Sequence, residues 1–305
     1  MNGTELQLAG GALALTIDSA RGGRITSVIY RPTGQELLWR QAPLADWPRY
    51  DAPEAEADIQ GWDECVPAIG PGPHPPGPWG KVHNPAQGEV YALPWRVEDA
   101  GSTSATLSVH GLRFPYQLTR RLSFDGPDTL RLSYRASNHG AYPMPFIWSA
   151  HPLLTAPAGA RIELPDPVRE VLIDSSEGYR LGDPYATVDW PIARTADAGA
   201  ADLSVIRPGS GVADKLYVRD IGVGRCALAR SDGLTLTFTW DAQTIPSLGV
   251  WIDTRGEGEA RVALEPCLGY PDLMAAAGEW DRHAVLPAYG ELCWEFGLTV
   301  TTTTP

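Results

Sequence analysis

Basic residues are few. The chain of 305 residues carries 24 Lys and Arg against 37 Asp and Glu, a formal net charge of -13. Nucleic acids and anionic membranes need a basic surface, so this deficit argues against both as partners. It weighs less against a phosphorylated small molecule, which a local basic pocket could hold. Cysteine is scarce too, and Cys65, Cys226, Cys267 and Cys293 show no metal-ligand spacing. No apolar stretch follows a basic segment at the N-terminus, and no apolar run is long enough to cross a bilayer. The expectation is a cytoplasmic chain with free thiols. Helical periodicity is nearly absent: one candidate spans residues 271–283, with three consecutive alanines and no amphipathic stripe. There is no internal repeat and no low-complexity linker.

What is present is apolar and turn-rich. Hydrophobic residues make up 43% of the chain, enough for a large core, and 32 Gly and 28 Pro suit many turns. Trp outnumbers Phe, 11 to 5; its flat apolar face and polar edge serve both core packing and sugar stacking. The dominant period is two. Leu13, Leu15 and Ile17 alternate with smaller or polar neighbours, as do Leu130, Leu132 and Tyr134. Leu234, Leu236, Phe238 and Trp240 alternate with threonines, and the run Leu292–Val300 follows the same rule. Each reads as a strand with one buried and one wet face. Asp232-Gly233 and Asp125-Gly126-Pro127 read as turns between strands. The segment from about residue 41 to 88 is long and irregular, with six prolines between Pro67 and Pro78. A loop of that size is more often functional than idle. The expected architecture is one all-β domain over residues 1–305, a large antiparallel β-sandwich with this loop over one face.

Two stretches carry chemistry. In Ala263-Leu264-Glu265-Pro266-Cys267 a carboxylate ends an apolar run and meets proline. In Trp148-Ser149-Ala150-His151-Pro152 a histidine does the same. Strand ends feeding loops are where scaffolds present reactive groups. Together they offer one candidate base and one candidate acid.

Several segments, in order, resemble the galactose mutarotase-like family, the aldose 1-epimerases and their relatives. They are Ala20-Arg21-Gly22-Gly23-Arg24-Ile25, Gly61-Trp62-Asp63-Glu64-Cys65-Val66-Pro67 and Gly88-Glu89-Val90-Tyr91-Ala92-Leu93-Pro94-Trp95. Further on come Asn138-His139-Gly140 with Ser149-Ala150-His151-Pro152, then Asp214-Lys215-Leu216-Tyr217, and Glu265-Pro266 with Pro271-Asp272. The resemblance covers roughly residues 10 to 300. It implies a β-supersandwich that interconverts the anomers of an aldose, free or phosphorylated, without a cofactor or metal. It departs from the family at Gln87, where relatives often have histidine, and in lacking an arginine in the Gly61–Pro67 motif.

On that resemblance Glu265 is the base for the C1 hydroxyl and His151 the acid for the ring oxygen, a pairing suited to proton exchange near neutral pH. Asp214 would accept hydrogen bonds from sugar hydroxyls, or stand as a turn aspartate before a strand. Gln87 and His83 are further binding candidates, and Trp62 and Trp251 are stacking candidates with core packing as the alternative. Asp63 and Glu64 read as part of a solvated loop, and Lys81 and Lys215 as surface lysines that could otherwise meet a phosphate. The leading function is an aldose 1-epimerase, as a monomer or homodimer. The alternative is a non-catalytic sugar-binding or sensor protein on the same scaffold, which the amide at Gln87 favours.

Overall fold

The period-two runs pair as antiparallel strands, as the alternation requires. The structure, a computed structural model, describes residues 5–40, 49–53, 59–256 and 258–302. The larger sheet has eleven strands. Its central path runs Arg24–Tyr30, Trp62–Cys65, Ser149–Ala156, Ala260–Cys267, Ser247–Asp253, Ala213–Val218 and Glu170–Ser176. The smaller sheet has eight, centred on Leu234–Trp240, Glu291–Thr302, Thr129–Asn138 and Tyr116–Asp125. Both expected turns close hairpins, with Gly126 and Gly233 in the left-handed region at φ 73 and 88. Within the expected helical segment, residues 274–279 form one short helix, Met274–Glu279. Much of the expected loop is described, and it contains the strand Trp62–Cys65 and a small pair, Gly72–Pro73 with His83–Asn84. Residues 41–48 and 54–58 of it lie outside the described residues.

The sheets pack face to face through alternating large residues. Trp62, on the larger sheet, stacks on Phe296 at 5.9 Å and meets the edge of Phe238 at 6.0 Å, both on the smaller sheet. Tyr134, Trp148, Trp294 and Phe296 extend this aromatic core. Trp62 is thus a core residue, and the stacking role is not where its ring lies.

One ion pair crosses this apolar layer. Glu64 accepts from Arg120 Nη1 at 3.0 Å, from the Tyr134 hydroxyl at 2.7 Å and from Trp148 Nε1 at 2.8 Å. Both charged side chains are fully buried. Arg120 also donates to the Gly23 carbonyl and lies over the Trp95 ring. Glu64 therefore does not belong to a solvated loop: it sits inside a strand, on the face turned to the core. Asp63, also expected in solvent, is buried on the opposite face of the same strand.

The glycine turn before Arg24 has a steric reason. Gly22 has φ 73, and a Cβ there would fall 2.0 Å from the Tyr91 carbonyl oxygen. Only glycine lets residues 20–24 pass so close to the 90–92 turn.

Removing one partner of a buried pair leaves an uncompensated charge, at about 3–5 kcal/mol. Arg120→Met should therefore lower the unfolding free energy in urea by roughly that amount. A loss below about 1 kcal/mol, the range of exposed pairs, would show that the pair does not tie the sheets.

Candidate active site

Four neighbouring strands build the site: Ser149–Ala156, Ala260–Cys267, Ser247–Asp253 and Ala213–Val218, paired in that order. Alternate residues face opposite sides of a sheet. Leu264, Val250 and Leu216 point into the inter-sheet core. Glu265, Gly249 and Tyr217 form the adjacent row on the other face, with Trp251 and Lys215 in the row beside them. A second apolar cluster, including Cys65, Ile69, Tyr217, Cys267 and Met274, lies on that face.

Glu265 is fully buried. Its Oε2 accepts from Lys215 Nζ at 2.5 Å and from Ser149 Oγ at 3.2 Å. Its Oε1 has no hydrogen-bond partner among the described residues and lies 3.9 Å from His151 Nε2. A Cβ at Gly249 would stand 3.1 Å from Oε2, so the bare backbone there makes room for the carboxylate.

His151 is buried, and its Nδ1 also lacks a partner among the described residues. Burial, and then the Lys215 ammonium, push its pKa down to about 3, against the opposing pull of Asp272. The imidazole is therefore neutral at pH 7. Lys215 shows the reverse. Burial favours its neutral amine, but Asp272 at 3.7 Å and Glu265 outweigh burial and hold the proton firmly. Asp272 accepts from the Tyr217 hydroxyl, and its own backbone N–H donates to Asp174 Oδ1 at 3.1 Å. Burial, and then Asp272, push the Asp174 carboxyl up to about 8.

The expected residues divide into three groups. Glu265, His151 and Trp251 come together: the His151 and Trp251 rings are 6.4 Å apart, and the Arg261 guanidinium lies 5.5 Å from the Trp251 ring. Gln87 lies one link away, in the left-handed region at φ 61. It accepts the Cys65 S–H at 3.2 Å, and Cys65 pairs in register with Ser149. The Cys65 thiol is held in its protonated form by burial and then by Glu265. Asp214 and His83 are elsewhere. Asp214 shares a face with Leu216, is bonded by Ser176 and Arg180, and lines a separate cavity of about 270 Å³ with Ile252 and Thr254. His83 is exposed in its short pair with Pro73, and its carbonyl accepts from Arg113.

Two further placements correct the sequence reading. Lys215 is not a surface lysine but a buried one at the centre of the site. Asp63 is ion-paired with Arg24 at 2.7 Å and opposes His151 in register. Asp174 enters the site without a sequence signal, whereas Ser149 lies in the Ser149–Pro152 segment already singled out. For Lys215 a signal existed: in Asp214-Lys215-Leu216-Tyr217 the alternation sets Lys215 with Tyr217 and Asp214 with Leu216.

His74 behaves like His151: burial pushes its pKa down to about 4. Both imidazoles should stay neutral on titration to pH 5.5, read as side-chain nitrogen shifts by NMR. The unfolded chain takes up these protons near the ordinary value of about 6.5, before the folded protein does. Each histidine should thus subtract stability as pH falls from about 6.5, by at most about 1.4 kcal/mol per pH unit. A charged His151 at pH 6 would contradict the placement.

No family model matches the chain, and no curated protein matches it in sequence. Solved structures do match in shape. The Slr1438 protein of Synechocystis sp. PCC 6803 is 17% identical, with TM-score 0.76 over 99% of this chain and 97% of that one. A protein of Escherichia coli K12, provisionally named an aldose 1-epimerase, is 16% identical, with TM-score 0.73 over 98% and 99%. A galactose mutarotase related enzyme of Lactobacillus acidophilus is 16% identical, with TM-score 0.70 over 99% and 98%. The chain has the fold of the galactose mutarotase-like proteins, the large antiparallel sandwich that its sequence resemblance implies.

Proposed function

We propose that the chain is an aldose 1-epimerase, with Glu265 as base and His151 as its partner at the ring oxygen. The observation that carries the reading is a pair of atoms without a hydrogen-bond partner among the described residues, Glu265 Oε1 and His151 Nδ1, on two buried side chains whose facing atoms are 3.9 Å apart. Leaving a buried polar atom unpaired costs about 1–3 kcal/mol. Such atoms on neighbouring groups are suited to the hydroxyls of a polar ligand. Trp251 beside His151 adds an aromatic face for the apolar side of a sugar ring.

The chemistry follows from these positions. Glu265 Oε1 takes the proton of the C1 hydroxyl. The O1 lone pair forms the aldehyde as the C1–O5 bond breaks, and its electron pair leaves on O5. His151 supplies the proton to O5. Rotation about C1–C2 presents the other carbonyl face, and reversal of both transfers closes the ring as the opposite anomer. The chemistry is two balanced proton transfers, and the sugar is neither oxidised nor reduced.

Because burial keeps the free imidazole neutral, its acid form is the scarce species at pH 7. If His151 is the acid, kcat/KM should rise as pH falls from 8 toward 5. A flat profile over that range would instead make the neutral imidazole, already fully populated there, the base. The same lowered pKa favours the second reading, a sugar-binding protein, as does the Gln87 amide oxygen already engaged by Cys65.

Mutarotation kinetics by polarimetry or NMR, over free and 6-phosphorylated aldoses, test the proposal. Glu265→Gln keeps the shape and removes the base, so kcat should fall at least ~100-fold. Gln87→Ala should raise KM with little change in kcat, since a neutral amide binds a hydroxyl but does not relay a proton. Binding of an aldose without any rate enhancement by the native protein would establish the second reading.

A further inference from the structure

Lysine is seldom fully buried unless it is paired. Lys215 is 4% exposed, and Glu265 lies two strands away, beyond the strand that carries Gly249 and Trp251. Its ammonium lies 2.5 Å from Glu265 Oε2 and 3.7 Å from Asp272 Oδ1. The Tyr217 hydroxyl, two residues on and on the same face, holds Asp272 in turn. Ser149 adds a second bond to the same Oε2. The result is asymmetric: one oxygen of Glu265 has two protein donors, and the other has none among the described residues.

We propose that Lys215 is the positioning residue of this site: its ammonium fixes Oε2 of Glu265 and so presents Oε1 alone to a sugar hydroxyl and to His151. The chemical role rests on the epimerase reading above; the electrostatic role does not. A carboxylate free to rotate would offer its oxygens in several orientations, and a transfer that depends on alignment would lose rate. The clamp also commits the buried ammonium of the site to carboxylates.

Lys215 acts on His151 as well. The groups facing that imidazole come from every strand around it: Glu265, Lys215, Asp272, Arg24 and, opposite in register, Asp63. Asp174 joins through its contact with Asp272. Among the charges, Lys215 is the largest influence toward the neutral ring. Without it, Glu265 loses its cationic partner and becomes available to pair with His151.

Two variants separate charge from position. Lys215→Met removes both, so the His151 imidazole should titrate at least about one pH unit higher by NMR. Its kcat should fall at least ~10-fold, with a smaller change in KM. Lys215→Arg keeps the charge but replaces a compact ammonium by a planar fork. There the His151 titration should stay within a few tenths of the native value while kcat still falls. A merely structural lysine would move neither quantity in a variant that melts like the native protein. His151 titrating alike in the native protein and in Lys215→Met would overturn the electrostatic role. If Lys215→Met does not fold, native kcat in Lys215→Arg would overturn the positioning role. If the native protein mutarotates no aldose, the epimerase reading and the positioning role resting on it both fail, and the titration still decides the electrostatic role.

Discussion

Glu64 and Arg120 are buried between two sheets where water cannot reach either charge. Such a pair is expensive to bury and tolerates little displacement, because the attraction offsets desolvation only when the geometry is good. Here Tyr134 and Trp148 complete the carboxylate, and the Gly23 carbonyl accepts from the guanidinium. The strand Trp62–Cys65 is thereby pinned in register and in facing. A slip of one residue would turn Glu64 outward and drive Asp63 into the aromatic core. With Glu64 fixed inward, Asp63 and Cys65 must face the other side. Cys65 then pairs in register with Ser149 and Asp63 with His151. The position of the candidate acid is thus inherited from an ion pair on the opposite face of the sheet.

Much of this was legible in the sequence, for a definite reason. Period two shows up directly in the alternation of Leu234, Leu236 and Phe238 or of Leu130, Leu132 and Tyr134, and those residues are buried as the pattern requires. Glu265 and His151, at the ends of apolar runs, do converge, because their strands are paired neighbours. Trp62, Asp63 and Glu64 were harder. The short run between a glycine and a proline carries two acids, and composition alone makes that a loop. Only the tertiary partner Arg120, on the other sheet, shows why a carboxylate belongs there. Asp174 was not legible at all: the register shift between Ile173 and Ser175 breaks the alternation that would have assigned its face.

Asp214 and Lys215 show how an adjacent pair can exchange meanings. The family resemblance drew attention to the aspartate, yet the strand turns it toward Leu216 and a cavity bounded by Arg180 and Thr254. The lysine, ordinary in composition, faces Glu265 instead. Motif matching names residues; the parity of the strand decides which of them reach the site.

The site holds more acid than base, and the imbalance bears on how it would work. Glu265 and Asp272 share one ammonium, Asp63 is matched by Arg24, and burial with Asp272 raises the Asp174 carboxyl to about 8. Two carboxylates and one ammonium leave a net negative charge beside a neutral imidazole. Asp272 favours the additional proton the ring-oxygen step needs, but burial of His151, the Lys215 ammonium and Arg24 resist it. On the epimerase reading, a bound sugar would shift this contest. Its hydroxyls can donate to Glu265 Oε1 and meet Nδ1, supplying the polar contacts that burial withholds from both groups. On the epimerase reading, those contacts would make the protonated imidazole beside Glu265 less costly in the complex than in the empty site.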